Sequence, residues 1–220
     1  MASREIILWE VDTQRDFMLP GGKLYVPGAE KRIPNMQRLV DAARADRVLL
    51  VSDVCVHAPD DPEFAQFPPH CVRGTEGAEI VPELLAERHV RIASTFDERL
   101  PEDPFAWQQI ILEKHMLDVF TNPQTEKLVK RLAPLDSVSK GRDVEFFVFG
   151  VVTEYCVRLA AKGLLDRGQT VAVVTDAIEA LDPAAGISTL DELDRLGARF
   201  VTTREALRAL DEAANASAAR

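Results

Sequence analysis

The sequence is poor in cysteine, and the few that it has are not arranged as a disulfide framework. Only three are present among 220 residues: Cys55, Cys71 and Cys156. An odd, sparse set in a chain of this length is typical of reducing compartments, where a cysteine is a core residue, a metal ligand or a nucleophile. We therefore expect a cytoplasmic protein.

Other absences exclude whole classes of partner. No apolar run approaches the roughly 20 residues that a membrane-spanning helix needs, and the opening MASREIILWEVD lacks the layout of a signal peptide. The net charge is −10 and the lysines and arginines are not clustered, so neither nucleic acid nor an anionic membrane surface is an expected partner. Internal repeats and low-complexity linkers are also missing. The 46% hydrophobic content predicts one globular domain over residues 1–210, followed by a frayed polar tail at 211–220.

What the sequence does have is an alternation of strand-like and helix-like segments. The strand-like segments are nearly continuous apolar runs, which are typical of strands covered on both faces. They lie at 5–11, 47–53, 91–95, 109–114, 145–151 and 170–176, with a seventh at 198–202 as a possible extension. Helical patterns lie at 29–45, 122–133, 153–168, 189–197 and 203–210. This order predicts a single-domain α/β fold, in which helices flank a parallel sheet of about six strands in a Rossmann-like three-layer arrangement.

Several residues with chemically useful side chains follow directly after predicted strands. In a parallel sheet the active site lies at the carboxyl ends of the strands. This rule places four residues along one edge: Asp12, Asp53, Lys114 and Thr153. Thr153 is a plausible N-cap, and Cys156 then falls in the first turn of a helix, where free amides and the helix dipole lower the pKa of a thiol.

Each of these residues also has an ordinary interpretation. Cys156 can be a buried helix residue, Asp12 a turn residue and Lys114 a solvent-facing side chain. An acid, an amine and a thiol at the same sheet edge instead favour nucleophilic catalysis, because the acid can accept the thiol proton and the ammonium can stabilise both anions.

Three separated segments resemble those of a known family. They are DTQRDF at 12–17, KHMLDVF at 114–120 and GVVTEYCV at 150–157. In this order and spacing, over roughly residues 5–205, the chain resembles the isochorismatase-like cysteine hydrolases and, among them, the nicotinamidases. The resemblance implies the isochorismatase-like fold.

The resemblance also implies a catalytic triad and an oxyanion hole. Asp12 would be the general base, Lys114 its electrostatic partner and Cys156 the nucleophile. A cis peptide bond between Val151 and Val152 would turn the Val152 amide inward, beside the amide of Cys156, to form the oxyanion hole. The implied reaction is the hydrolysis of a small amide in two steps, through a thioester on Cys156.

The second candidate site is a proline-rich stretch at 53–80. Its central segment, 54–75, is the longest irregular stretch of the chain, and loops of that length are usually functional. In nicotinamidases the corresponding loop binds a divalent metal, which coordinates the pyridine nitrogen of the substrate. By this resemblance the ligands are Cys55, His57, Glu63 and His70. A thiolate, two imidazoles and a carboxylate suit zinc.

The residue at position 55 leaves two interpretations open, because the family has an aspartate there. Either the Cys55 thiolate replaces the carboxylate and the site binds zinc, or Cys55 is a core residue and the site has been lost. Cys71 is expected to be structural. The same resemblance implies that Phe17 and Phe67 pack against the aromatic ring of the substrate, although by residue type alone both would be core residues.

We therefore expect a cysteine-dependent amidohydrolase that converts nicotinamide to nicotinate and ammonia. Its partners would be a small-molecule amide and, as is common in the family, further copies of itself in a homo-oligomer. Two alternatives remain. One is a metal-independent hydrolase of another small amide or of an enol ether such as isochorismate. The other is a non-catalytic binding domain, which the loss of a triad residue would favour.

Overall fold

The strands form one parallel sheet. The computed structural model describes residues 3–134 and 142–218. Within them the strands are β1 (Ser3–Val11), β2 (Leu49–Cys55), β3 (His89–Ile92), β4 (Gln109–Lys114), β5 (Arg142–Val151), β6 (Thr170–Glu179) and β7 (Arg199–Val201). All neighbours pair in parallel, in the order β3-β4-β2-β1-β5-β6-β7. The predicted parallel α/β sheet is confirmed, and the seventh apolar run joins it as an edge strand.

α-Helices connect and flank these strands. In the described part of the chain they are α1 (Arg15–Met18), α2 (Ile33–Arg44), α3 (Thr125–Leu132), α4 (Arg158–Asp166), α5 (Pro183–Arg195) and α6 (Thr203–Ala218). Among these described residues, no helix is both long enough and apolar enough to cross a lipid bilayer.

Two helices differ from the sequence prediction. α5 begins at Pro183, ahead of the predicted segment 189–197, because the Asp182 carboxylate accepts a hydrogen bond from the amide of Ala184 at 2.8 Å and caps the helix. α6 continues to Ala218, so the frayed tail predicted at 211–220 is wrong as far as residue 218. Its apolar face extends past the predicted end, since Ala213 still packs against the core. Residues 219–220 lie outside the described part of the chain.

The core consists of two apolar layers, one on each face of the sheet. On one face Ile6 and Leu8 pack with residues of α2 and α6, and on the other Ile7 and Trp9 pack with residues of α3 and α4. Successive residues of β1 point to opposite faces of the sheet, and both faces are covered by an apolar layer. The strand segments in the sequence are therefore almost wholly apolar.

The ends of β1 and β5 approach each other closely at Gly150. This residue pairs with Val11 and has a φ of 122°, and a Cβ atom there would lie 2.1 Å from the Val11 carbonyl oxygen. Only glycine fits such a position. The close approach brings the turn after β5 next to Asp12, which follows β1.

Candidate active site

Lys114, the last residue of β4, lies at the centre of a buried polar cluster. Its Nζ donates hydrogen bonds to Asp12 Oδ1 at 2.9 Å and to Asp12 Oδ2 at 2.7 Å. Cys156 Sγ lies 3.6 Å from the same nitrogen. Each of the three residues is buried. The structure therefore brings the acid and the thiol, which follow two other strands, into contact with the ammonium group of Lys114.

Two further side chains contact this ammonium. Cys55 Sγ accepts a hydrogen bond from Lys114 Nζ at 3.0 Å, so it lies closer than Cys156. Asp53 Oδ1 lies 3.6 Å away, while Oδ2 of the same residue accepts a hydrogen bond from the Trp9 indole at 2.8 Å. Sequence reasoning placed Asp53 at this edge but assigned it no role. One positive charge thus faces two carboxyl groups and two thiols.

The pKa values of the charged groups reflect this crowding. Burial and the neighbouring Cys55 raise the pKa of Asp12 well above its usual range, against the opposing effect of Lys114. Burial also raises the pKa of Asp53, to about 6. Desolvation disfavours the charge on Lys114, but the surrounding acids outweigh it and hold its pKa well above the ordinary value. The Lys114 ammonium therefore stays charged, while the raised pKa values of Asp12 and Asp53 mean that a negative charge on either carboxyl group is disfavoured.

The two thiols of the cluster have opposite pKa shifts. A hydrogen bond with Cys156, together with the charge of Lys114, lowers the pKa of Cys55 well below its ordinary value despite burial. The same hydrogen bond, burial and Asp12 raise the pKa of Cys156. The predicted lowering of the Cys156 pKa is therefore wrong for this arrangement. The physical reason is that Cys55 and burial both disfavour a negative charge on Cys156, and together with Asp12 they outweigh the effect of Lys114.

The turn after β5 carries Cys156. The peptide bond between Val151 and Val152 is cis, as the family resemblance implies. The five residues after Val152 form a π-helical turn, in which the Val152 carbonyl accepts a hydrogen bond from the Val157 amide at 3.2 Å. Val152, not Thr153, is the N-cap residue, and no side chain caps this turn. The predicted Thr153 cap is wrong because the turn is wider than an α-helical one.

Two polar residues of the DTQRDF segment hold the site together through its backbone. Gln14 donates to the Cys55 carbonyl at 2.7 Å and accepts from the Cys55 amide at 2.8 Å. The Asp16 carboxylate accepts from the Cys71 amide at 2.7 Å. Gly77 packs against it, since a Cβ atom there would lie 2.3 Å from this carboxylate. Neither role was predicted from the sequence. The signal that could have indicated them is the polar residue at every second position of the segment: Asp12, Gln14 and Asp16.

Three of the four predicted metal ligands form a compact buried cluster. The ligand atoms of Cys55, His57 and His70 all lie within 4.8 Å of one another. The Nδ1 atom of each ring makes a hydrogen bond. The partner of His57 Nδ1 is Asp61 Oδ2 at 3.0 Å, and the partner of His70 Nδ1 is the Pro68 carbonyl oxygen at 2.8 Å. His57 Nε2 is buried and has no hydrogen-bond partner among the described residues.

This arrangement fits a divalent metal ion. Histidine ligands usually donate their other ring N–H to a carboxylate or a backbone carbonyl, which orients the ring. Asp61 and Pro68 do this for His57 and His70, and sequence reasoning missed both. The fourth predicted ligand, Glu63, lies at the edge of the cluster, with its Oε1 3.9 Å from His70 Nε2. Burial raises the pKa of Glu63.

A narrow cavity of about 50 Å³ leads to both groups of residues. Its polar lining side chains are acids, thiols, one imidazole and one phenol: Asp12, Glu63, Cys55, Cys156, His70 and Tyr155. The rest are apolar: Phe17, Leu24, Phe67, Leu117, Val151, Val152 and Leu181. Phe17 and Phe67, predicted to contact the substrate, both face the His70 ring edge-on, at centroid distances of 5.3 and 6.4 Å. No arginine or lysine is among the described residues that line the cavity.

Comparison with known families decides the classification. A family model described as the isochorismatase domain matches residues 7–205. The chain belongs to the isochorismatase family. The predicted resemblance is confirmed, and this isochorismatase-family protein is a hydrolase. The seven-stranded sheet and its helices match the fold of a solved isochorismatase-like hydrolase, with a TM-score of 0.71.

Several of the similar proteins are named as amidases. The nicotinamidase of Escherichia coli (strain K12) is 26% identical over an alignment of 224 positions, and the alignment covers 92% of this chain and 96% of that protein. The nicotinamidase/pyrazinamidase of Mycobacterium tuberculosis is 24% identical over 189 residues, with 83% and 91% coverage. Among solved structures, the pyrazinamidase of Pyrococcus horikoshii in complex with zinc has a TM-score of 0.69 and 27% identity, covering 90% of this isochorismatase-family chain and 99% of that one.

Proposed function

We propose that this isochorismatase-family hydrolase is a cysteine amidase of small neutral amides, with nicotinamide as its substrate. The observation that carries the proposal is the contact of one buried ammonium, Lys114, with the Asp12 carboxylate and Cys156 Sγ beside an apolar cavity. An acid, an amine and a thiol in contact are the groups needed for acyl transfer to sulfur. The relatives named as nicotinamidases support an amide substrate.

In the first step, Cys156 Sγ attacks the carbonyl carbon of the amide. Asp12 accepts the thiol proton and passes it to the amide nitrogen, which departs as ammonia. The raised pKa values of Asp12 and Cys156 suit this exchange, because the anionic form of each group is disfavoured and the proton can pass between them. Lys114 contacts both groups and stabilises whichever of them is the anion. We assign the oxyanion to the backbone amides of Val152 and Cys156.

In the second step, water hydrolyses the thioester. Asp12, now deprotonated after the loss of ammonia, accepts a proton from the attacking water. The carboxylic acid product leaves and Cys156 regains its proton. Because Asp12 and Lys114 are buried, they keep their positions through both steps without reorganisation of solvent.

The cluster of Cys55, His57 and His70, with Glu63 at its edge, would hold a divalent metal ion. When bound, such an ion supplies a Lewis-acid contact for a ring nitrogen of the substrate. A thiolate and two imidazoles favour zinc over magnesium or manganese, which prefer oxygen ligands. The zinc complex of the P. horikoshii pyrazinamidase is consistent with this choice.

The charge of the cavity argues against an anionic substrate such as isochorismate. Lys114, the cation next to the cavity, is already paired with Asp12, and Glu63 adds a further carboxyl group to the lining. A carboxylate substrate would therefore enter without a free cation among the described lining residues. A neutral amide has no such requirement.

One observation favours a second candidate, a metal-independent amidase acting on another small amide. Cys55 Sγ accepts a hydrogen bond from Lys114 at 3.0 Å, so the charge of its thiolate is compensated without a metal. The two candidates share the cysteine chemistry and differ in what recognises the substrate ring.

Ammonia release from nicotinamide, pyrazinamide and benzamide tests both candidates, with zinc-loaded and chelator-treated protein. We expect nicotinamide to be hydrolysed faster than benzamide, which lacks the ring nitrogen, and chelation to remove the difference. Equal rates for the three amides under both conditions would favour the metal-independent candidate.

Cysteine variants test the nucleophile in the same assay. Cys156→Ala should abolish turnover and leave the circular dichroism spectrum unchanged. Cys71→Ala is the matched control, because Cys71 is fully buried and does not line the cavity. Turnover by Cys156→Ala, or no ammonia from any amide with the wild-type protein, would overturn the proposed function.

A further inference from the structure

We propose that Cys55 and Cys156 form a reversible disulfide bond, which makes the site sensitive to peroxide. Both sulfur atoms contact Lys114 Nζ, at 3.0 and 3.6 Å, and both residues line the same cavity. All three cysteines are free thiols in the structure.

The two sulfur atoms approach each other from different strand ends. Cys55 ends β2, and Cys156 lies in the turn after β5. Because both sulfur atoms contact the same Lys114 nitrogen, they lie close to each other. A disulfide needs sulfur atoms about 2.05 Å apart, so rotation of the two side chains must bring the sulfur atoms together. Lys114 stabilises the thiolate, which is the reactive form of cysteine.

The oxidant that fits is hydrogen peroxide, since the cavity is narrow. In the first step the thiolate of one cysteine attacks the O–O bond. An S–O bond forms, and the departing oxygen takes up a proton and leaves as water. In the second step the other thiol attacks this sulfenic sulfur, the S–O bond breaks and a second water leaves. Two thiols lose two electrons and two protons in total, and the peroxide gains them.

The disulfide would have two consequences at once. It would remove the proposed nucleophile, Cys156, and the only sulfur ligand of the metal cluster, Cys55. It would also protect Cys156 from irreversible oxidation to sulfinic or sulfonic acid. Cys71 is excluded from this chemistry because it is fully buried, does not line the cavity and has a pKa that burial raises.

The test exposes the full-length, chelator-treated protein to a small excess of hydrogen peroxide. Intact mass, free-thiol titration in denaturant and non-reducing peptide mapping are the readouts. We expect the mass to fall by two hydrogen atoms, two of the three thiols to be lost, and one cross-linked peptide to join Cys55 with Cys156. Dithiothreitol should restore all three thiols.

Variants sharpen the result. Cys71→Ala should still lose two thiols, whereas Cys55→Ala should gain oxygen atoms on Cys156 without a cross-link. A wild-type protein that gains oxygen without a cross-linked peptide, or that cross-links Cys71, would overturn the proposal. These readouts do not measure turnover, so the disulfide can fail while the amidase proposal stands, and the reverse.

Discussion

Glu10 and Asp12 are two buried carboxyl groups, separated by one residue, at the end of the central strand β1. Their partners differ. Asp12 has the Lys114 ammonium at 2.7 Å. Glu10 has only neutral donors in the described structure, the Ser52 hydroxyl at 2.5 Å and the Gln109 amide at 3.0 Å.

This difference in partners explains why Asp12 can exchange a proton, whereas Glu10 has only a structural role. Burial raises the pKa of Glu10 to about 7, although hydrogen bonds from Ser52 and Gln109 oppose the shift. With no cation beside it, Glu10 is most stable when protonated. Asp12 is equally buried, but Lys114 can stabilise its anion, so its proton can move. The neighbouring cation, not burial, decides which carboxyl group can exchange a proton.

The largest expected effect is on turnover, and a double-mutant cycle measures it. Asp12→Asn and Lys114→Ala should each lower kcat by about 10²–10⁴-fold. The double variant should be no worse than the poorer single one, because the two groups act as a unit. Glu10→Gln, equally buried, should retain a kcat close to that of the wild type. If the two single effects multiplied, Asp12 and Lys114 would not be acting on the same reacting atoms.

The next effect is on stability. Lys114→Ala should lower the free energy of unfolding by about 3–5 kcal/mol, since it leaves Asp12 and Asp53 buried without their cation. Lys162→Ala is the control, because its ion pair with Asp166 is largely exposed and should contribute at most about 1 kcal/mol. Urea unfolding of both variants gives the comparison. Equal losses would mean that the buried ammonium does not hold the cluster together.

Glu10 should make stability depend on pH in a predictable direction. Its pKa rises from 4.5 in the unfolded chain to about 7 in the folded protein. Between these values the folded state binds more protons, so its stability falls as the pH rises from 4.5 to 7, by on the order of 3 kcal/mol. Glu10→Gln removes this dependence and should be more stable than the wild type at pH 8. Parallel pH profiles of unfolding free energy would contradict a neutral Glu10.

The smallest effect concerns a third carboxylate, Asp61, which lies near the surface and holds His57 Nδ1 at 3.0 Å. Asp61→Asn should weaken zinc binding by about 10–100-fold, with little change in unfolding free energy. Competition with a chromophoric chelator measures the dissociation constant. The adjacent, exposed Asp60 supplies the control variant Asp60→Asn. Equal zinc affinity in both variants would show that the Asp61 carboxylate does not support the ligand.

The fold followed from the sequence because the inner strands, such as β2 and β4, are buried on both faces and are therefore nearly continuous apolar runs. Residues 109–114 are an example, since the predicted and observed strands coincide. The grouping of Asp12, Lys114 and Cys156 followed for a related reason: in a parallel sheet all carboxyl ends meet at one edge. The end of α6 did not follow, because the segment after residue 210 is mostly small and polar, and its packing against the core through Ala213 is visible only in the structure.

The relation between Cys55 and Lys114 was not accessible from the sequence. It depends on β2 and β4 being neighbours, with these two residues opposite each other in the register. Neither the strand order nor the register is encoded in any short segment. The opposite pKa shifts of Cys55 and Cys156 depend first on the interaction between the two thiols, so they too required the structure.

The order of the strands also has a consequence for biosynthesis. Asp12 and Lys114 are 102 residues apart in the chain, and Cys156 follows Lys114 by a further 42. The predicted metal ligands all precede residue 71, so a ribosome completes them long before it reaches the thiol nucleophile. β1 lies between β2 and β5 in the sheet, so one side of β1 lacks its partner until β5 emerges. A nascent chain can therefore carry the predicted metal ligands before it has the proposed nucleophile, and Cys156 is the last of the three proposed catalytic residues to be made.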